Sequence, residues 1–172
     1  MSELTLPDLR RLEAAQGWLG LQNWREAEAE IASISPALQS HPDVLKVKWA
    51  TYAAGKQWEI AAQVAAEFRH ANPDNPFGFV HLAYALHELK RTREAENVLL
   101  SIVEKFSDEY IIRYNLACYA CQLGDNDAAW RWLDKSMRLT DPKEIKRMAL
   151  TDPDLEPLHA RIKAWSVKAS EE

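Results

Sequence analysis

Tyr114-Asn115-Leu116-Ala117-Cys118-Tyr119-Ala120-Cys121-Gln122-Leu123-Gly124-Asp125-Asn126-Asp127-Ala128-Ala129-Trp130 is the stretch that decides the fold. Apolar and small residues recur at helical spacing up to Gln122, turn residues follow at Gly124-Asp125-Asn126, and a second helical pattern then begins. The same arrangement recurs through the chain. Ala27, Ala61, Ala95 and Ala129 stand 34 residues apart. Six residues before them lie Leu21, Gly55, Leu89 and Leu123; four after lie Ile31, Ala65, Leu99 and Leu133. Nine before lie Trp18, Tyr52, Leu86 and Ala120. A fixed period of this length signals a stacked-repeat architecture.

Each period holds two helical segments. The expected helices run roughly 6–20, 24–35, 43–54, 57–71, 76–89, 92–106, 108–122 and 126–139. Ser35-Pro36 interrupts the second of them. Gly55 and Gly124 stand where a helix often closes on a left-handed residue, so a β-branched residue at Gly55 is expected to destabilise. Thr92 and Asn126 are expected to cap the helices that follow. A short helix over 142–150 and a last one over about 153–168, with Leu155, Leu158, Ile162 and Trp165 on one face, complete the chain.

A 34-residue helix–turn–helix period with Leu116-Ala117, Gly124 and Ala129 at these places resembles the tetratricopeptide repeat, and the chain is similar to small bacterial-type members of that family. The resemblance covers about residues 10–140. The stretch Ala149–Leu158 resembles a tail that follows the last repeat in many bacterial members. The fold expected from it is all-α, a right-handed superhelical solenoid of about four repeats with C-terminal capping helices. It makes one domain over 1–172, with units at about 8–41, 42–75, 76–109 and 110–143 and a cap over 144–168. One helix pair cannot bury its apolar stripe alone; stacked neighbours share a continuous core.

Length and composition agree. The chain has 172 residues, 47% of them hydrophobic, enough for a sizeable core. A net charge of −5, divided evenly along the chain, argues against a broad grip on nucleic-acid phosphates. No apolar run approaches the roughly 20 residues of a membrane span, and the acidic start Met1–Asp8 does not read as a secretory signal. A cytoplasmic location is the expectation. The chain contains no phosphate-binding glycine loop, no nucleophile elbow and no HExxH, so no enzyme activity and no cofactor are expected.

The resemblance implies a concave groove, built mainly from the first helix of each repeat, that holds a peptide or partner segment. By register its contacts are expected at Phe77, Val80, Tyr84, His87, Ile111, Tyr114, Cys118 and Cys121. Gln16, Leu19, Lys46, Ala50 and Ala53 continue it in the first two repeats. The carboxylate clamp of chaperone-tail binders is not expected, because Ala50 stands where an Asn is needed and Phe77 and His81 where basic residues are. Two other roles stay open: a small chaperone for secretion substrates, and a scaffold whose groove is filled by its own tail or a second copy. Cys118 and Cys121 have CxxC spacing, but within a helix and without a second such pair they read as small face-lining residues. A redox pair, or a metal site completed by His87, is the sharper alternative. Trp49 and Trp58 are expected in packing positions and His81 at a helix seam.

Overall fold

The computed structural model describes residues 3–165. Ten α-helices lie among the described residues, with no strand. They are α1 Leu6–Gly20, α2 Trp24–Ala32, α3 Pro42–Ala54, α4 Trp58–Ala71, α5 Phe77–Glu88, α6 Thr92–Leu100, α7 Tyr110–Gln122, α8 Asn126–Met137, α9 Pro142–Thr151 and α10 His159–Ala164. Two 3₁₀ turns, Pro36–Leu38 and Pro153–Leu158, join them. The chain falls into two compact units that divide between Lys90 and Arg91.

The 34-residue period has a backbone counterpart. Gln22, Lys56, Lys90 and Gly124 all carry positive φ, at 58°, 55°, 64° and 87°. These four left-handed residues end α1, α3, α5 and α7. Three of these ends carry the closing bond of a Schellman motif: Asn23 N–H to Trp18 O, Gln57 N–H to Tyr52 O and Asp125 N–H to Ala120 O, at 2.8–2.9 Å. Gly124 meets the expectation. Gly55 does not: its φ is −81°, and Lys56 takes the left-handed position. Gly55 is small for another reason, since a Cβ there would lie 2.7 Å from the Trp24 indole. The cap of α8 is likewise one residue earlier than expected: Asp125, not Asn126, accepts the Ala128 N–H at 2.8 Å. Thr92 is the first helical residue of α6, and Arg91 before it pairs with Glu94 at 2.7 Å.

Three helices depart from the bounds their apolar patterns suggest. After α2, Asp8 fixes the chain. Its carboxylate accepts the Ser35 N–H and hydroxyl, both at 2.9 Å, and the Thr5 hydroxyl. The Ser35 N–H, with Thr5 behind it, holds the Asp8 carboxyl below its ordinary pKa. Helix α6 ends at Leu100 and gives way to turns over 101–108. Arg113, buried on α7, reaches back into them, donating to the carbonyls of Val103 and Phe106 there, and to that of Glu109 just before α7, at 3.2–3.4 Å. The expected helix over 153–168 begins as a 3₁₀ turn and becomes α10 at His159; Pro157 cannot donate to an α-helical ladder. Residues 166–168 of that expectation lie outside the described residues.

The core of the first unit gathers Leu12, Ala15, Ala27, Ile31, Ile34, Val44 and Val47, with Leu45, Val64 and Phe68 in a second cluster. In the second unit Leu99, Ile112, Leu116, Leu133, Ile145, Leu155 and Ile162 are buried. Ala27, Ala61, Ala95 and Ala129 have no exposed surface at all, and the α1–α2, α3–α4 and α7–α8 pairs each close over one of these methyl groups. Ala129→Leu is expected to overpack that seam and cost about 1–3 kcal/mol, read as a lower urea midpoint with unchanged slope.

Candidate binding faces

In the first unit the face is built on α5. Asn75 receives the Phe77 N–H at 2.9 Å and starts the helix. From there Phe77, His81 and Tyr84 recur at i, i+4 and i+7, one stripe of the helix. The stripe meets Trp49 of α3. The Phe77 and His81 rings stack at 3.8 Å, and Trp49 stands perpendicular to His81 at 4.1 Å. Tyr84 touches Trp49 at 6.2 Å and Trp58 of α4 at 5.6 Å, both edge-to-face. Phe68 closes the back of the cluster, 4.8 Å from Phe77. Such pairs are worth about 0.5–1.5 kcal/mol each beyond their buried area, and they make a stiff aromatic floor.

His81 belongs to that floor. Its Nδ1 lies 2.9 Å from the Phe77 carbonyl. A carbonyl can only accept, so Nδ1 carries the proton. Burial lowers the His81 pKa, outweighing that hydrogen bond, and the ring is neutral near pH 7. Of the four α5 residues read from the sequence, Tyr84 is 40% exposed, Phe77 is half-buried, and Val80 and His87 are buried. The register argument missed Trp49 as a partner of the stripe, because it placed the α3 contacts at Lys46, Ala50 and Ala53.

In the second unit the corresponding face lies on α7. Tyr114, Cys118 and Cys121 do share one side of the helix, and Ile111 is half-buried beside them. All three are buried, because the segment after α9 lies on them. Asp152 Oδ2 accepts the Tyr114 hydroxyl at 2.8 Å and the Cys118 thiol at 3.6 Å. Gln122 Nε2 donates to the Asp154 carbonyl at 3.0 Å, and Cys121 donates to Asn126 Oδ1 at 3.5 Å. Leu155 and Leu158 of the 3₁₀ turn are buried. Burial, then the Asp152 and Asp154 carboxylates, push the Cys118 thiol well up. Burial, then Asp154 and Asp152, do the same to Cys121. Tyr114 is raised too, by burial first and then by the charges of Cys118 and Asp152. A thiol kept protonated and covered is a poor nucleophile, which weighs against a redox pair at this CxxC spacing.

No protein-family model matches the chain. A stretch of 81 residues is 35% identical to protein FlbA of Caulobacter vibrioides. It covers 47% of this chain and 14% of FlbA, so the chain spans a small part of the length of that relative. Among solved structures the chain is similar to MamA from Desulfovibrio magneticus RS-1, with a TM-score of 0.69, 16% identity, and 77% of this chain and 75% of that one covered. It is also similar to MamA MSR-1, at 0.64 and 19% over 78% and 76%, and to MamA AMB-1, at 0.63 and 15% over 93% and 94%. MamA is tetratricopeptide-repeat-like. The fold is of the tetratricopeptide-repeat type. Gln22, Lys56 and Gly124 mark the turns inside the α1–α2, α3–α4 and α7–α8 pairs, and Ala27, Ala61 and Ala129 the seams those turns allow. No helix among the described residues is long and apolar enough to cross a membrane.

Proposed function

We propose that this chain is a non-enzymatic protein-interaction module that holds a partner segment against the α5 face of its first unit. One observation carries the reading: Tyr84, a large aromatic, is 40% exposed on a floor of Trp49, Trp58, Phe77 and His81. Aromatic anchors fixed by neighbours give contact area at low entropic cost, and interface hot spots are rich in them. The chain's own Asp152–Leu158 segment covers the α7 face, and the exposure of Tyr84 favours the first unit as the partner's surface. The fold type supports an interaction or scaffold role, and the local match to FlbA leaves the partner's identity to experiment.

Tyr84→Ala tests the reading. Tagged wild type and variant are used to capture partners from native lysate, with circular dichroism confirming that both are folded. The expected result is a partner retained by wild type and lost, or weakened at least about tenfold, with the variant, the effect of an anchor worth roughly 2 kcal/mol. The same partners retained equally by both proteins would move the contact off this face.

A further inference from the structure

Among the groups that hold the segment after α9 on α7 is a set of donors with metal-ligand chemistry. The Cys118 Sγ and one carboxylate oxygen each of Asp152 and Asp154 lie within 4.8 Å of one another. We infer that Cys118, Asp152 and Asp154 form a binding site for a divalent cation of the zinc class, which fastens the C-terminal segment to α7.

Four features carry this. The first is spacing. A thiolate and a carboxylate oxygen bound tetrahedrally to zinc, at about 2.3 and 2.0 Å, stand about 3.5 Å apart. Cys118 Sγ and Asp152 Oδ2 are 3.6 Å apart. The second is preorganisation. Asp152 Oδ1 accepts the Asp154 N–H at 3.0 Å, and Gln122 of α7 holds the Asp154 carbonyl at 3.0 Å. The Asp-Pro-Asp turn therefore presents both carboxylates to the helix in a set geometry. The third is an outer hydrogen bond. The Tyr114 hydroxyl donates to Asp152 Oδ2 at 2.8 Å, the kind of contact that orients a ligating carboxylate.

The fourth is charge. The carboxylates of Asp152 and Asp154 both face the covered Cys118 thiol. Two carboxylates and a covered thiol gathered this way repel negative charge and favour a positive ion among them. The thiol selects the ion: soft sulfur suits the zinc class, whereas calcium and magnesium call for oxygen alone. On binding, the S–H bond of Cys118 breaks and its proton leaves to solvent as the metal–sulfur bond forms, so each ion bound releases one proton. Asp152 and Asp154 are half-buried, which leaves a water to complete the shell. Cys121 stays with Asn126, outside the set.

The test titrates the full chain, reduced and freed of metal by chelator, with Co²⁺, and measures zinc affinity by competition with a chromophoric chelator. The expected result is a one-to-one site with a sulfur-to-cobalt charge-transfer band and release of one proton. Cys118→Ser abolishes the band and weakens zinc roughly 100-fold or more, and Asp154→Asn weakens it at least about tenfold. Cys121→Ser retains both within about threefold. Asp154 is half-buried, so its amide keeps the fold testable should Cys118→Ser fail to fold: zinc raises the thermal midpoint of wild type and not of Asp154→Asn. A folded wild type with no charge-transfer band, or zinc affinity unchanged in Cys118→Ser or in Asp154→Asn, would overturn the assignment. So would loss of binding in Cys121→Ser.

Discussion

Gly78→Ala is expected to take about 2–4 kcal/mol from the stability of the protein, although the change adds a single methyl group. Gly78 lies in the first turn of α5, where that helix crosses α4. A Cβ on Gly78 would meet the Arg69 backbone nitrogen at 2.6 Å and its Cα at 2.7 Å. These are backbone atoms of a helix and cannot rotate aside. The two helices must separate instead, and the contact they lose includes the Phe68–Phe77 pair at 4.8 Å. An alanine is also worth up to about 1 kcal/mol more than glycine inside a helix, so the strain has to exceed that gain before any loss appears. Gly17 supplies the contrast. It sits within α1 with nothing inside 4 Å of an added Cβ, and Gly17→Ala should stabilise by roughly 0.5–1 kcal/mol. Thermal unfolding of the two variants should therefore move in opposite directions, with Gly78→Ala lower by roughly 5–12 °C. A Gly78→Ala midpoint equal to or above wild type would show that α4 and α5 are not in backbone contact.

Gly78 also marks what the sequence could and could not convey. The 34-residue period and the small-residue column were legible because stacking demands the same local chemistry at every turn: Ala27, Ala61, Ala95 and Ala129 are all fully enclosed. Left-handed positions were legible to within one residue. Gly55 drew the assignment that belongs to Lys56, because a glycine beside a turn reads as a left-handed cap whether it serves φ or space. Its real partner, Trp24, lies 31 residues away and leaves no local trace. The same limit governs the faces. The common side of Tyr114, Cys118 and Cys121 followed from helical spacing alone. That Asp152 would lie on it did not, because nothing within 152–158 encodes where the segment docks. On α5 the stripe of Phe77 and Tyr84 was legible, while Trp49 as its floor depends on how α3 is rotated, a packing outcome and not a pattern.

Arg113 is the other residue that spacing alone would misplace, and its removal carries the second large effect. An arginine in a repeat helix reads as a solvated charge, yet this one is 9% exposed. Its guanidinium gathers the Val103 carbonyl at 3.2 Å and those of Phe106 and Glu109 at 3.4 Å. Val103 and Phe106 belong to the turns that replace the last part of the helix expected over 92–106, and Glu109 precedes α7. A planar fork with five donors can serve several carbonyls from one point, which the single ammonium of a lysine cannot match in geometry. Arg113→Met keeps the aliphatic stem and removes the donors; the buried Val103 carbonyl loses its donor, while the Phe106 and Glu109 carbonyls keep the Glu109 and Ile112 N–H groups. Each such group costs about 1–3 kcal/mol. One such carbonyl, with the weaker bonds to Phe106 and Glu109 also lost, sets the expected total at about 1–3 kcal/mol. Arg113→Lys should recover less than half of it. Hydrogen exchange separates this from a general loss of packing: in Arg113→Met the amides of 101–108 should exchange faster by more than those of α8, whose seam at Ala129 and Leu133 the substitution leaves alone. Equal acceleration across α8 and 101–108 would mean that Arg113 supports the whole unit and not the turn.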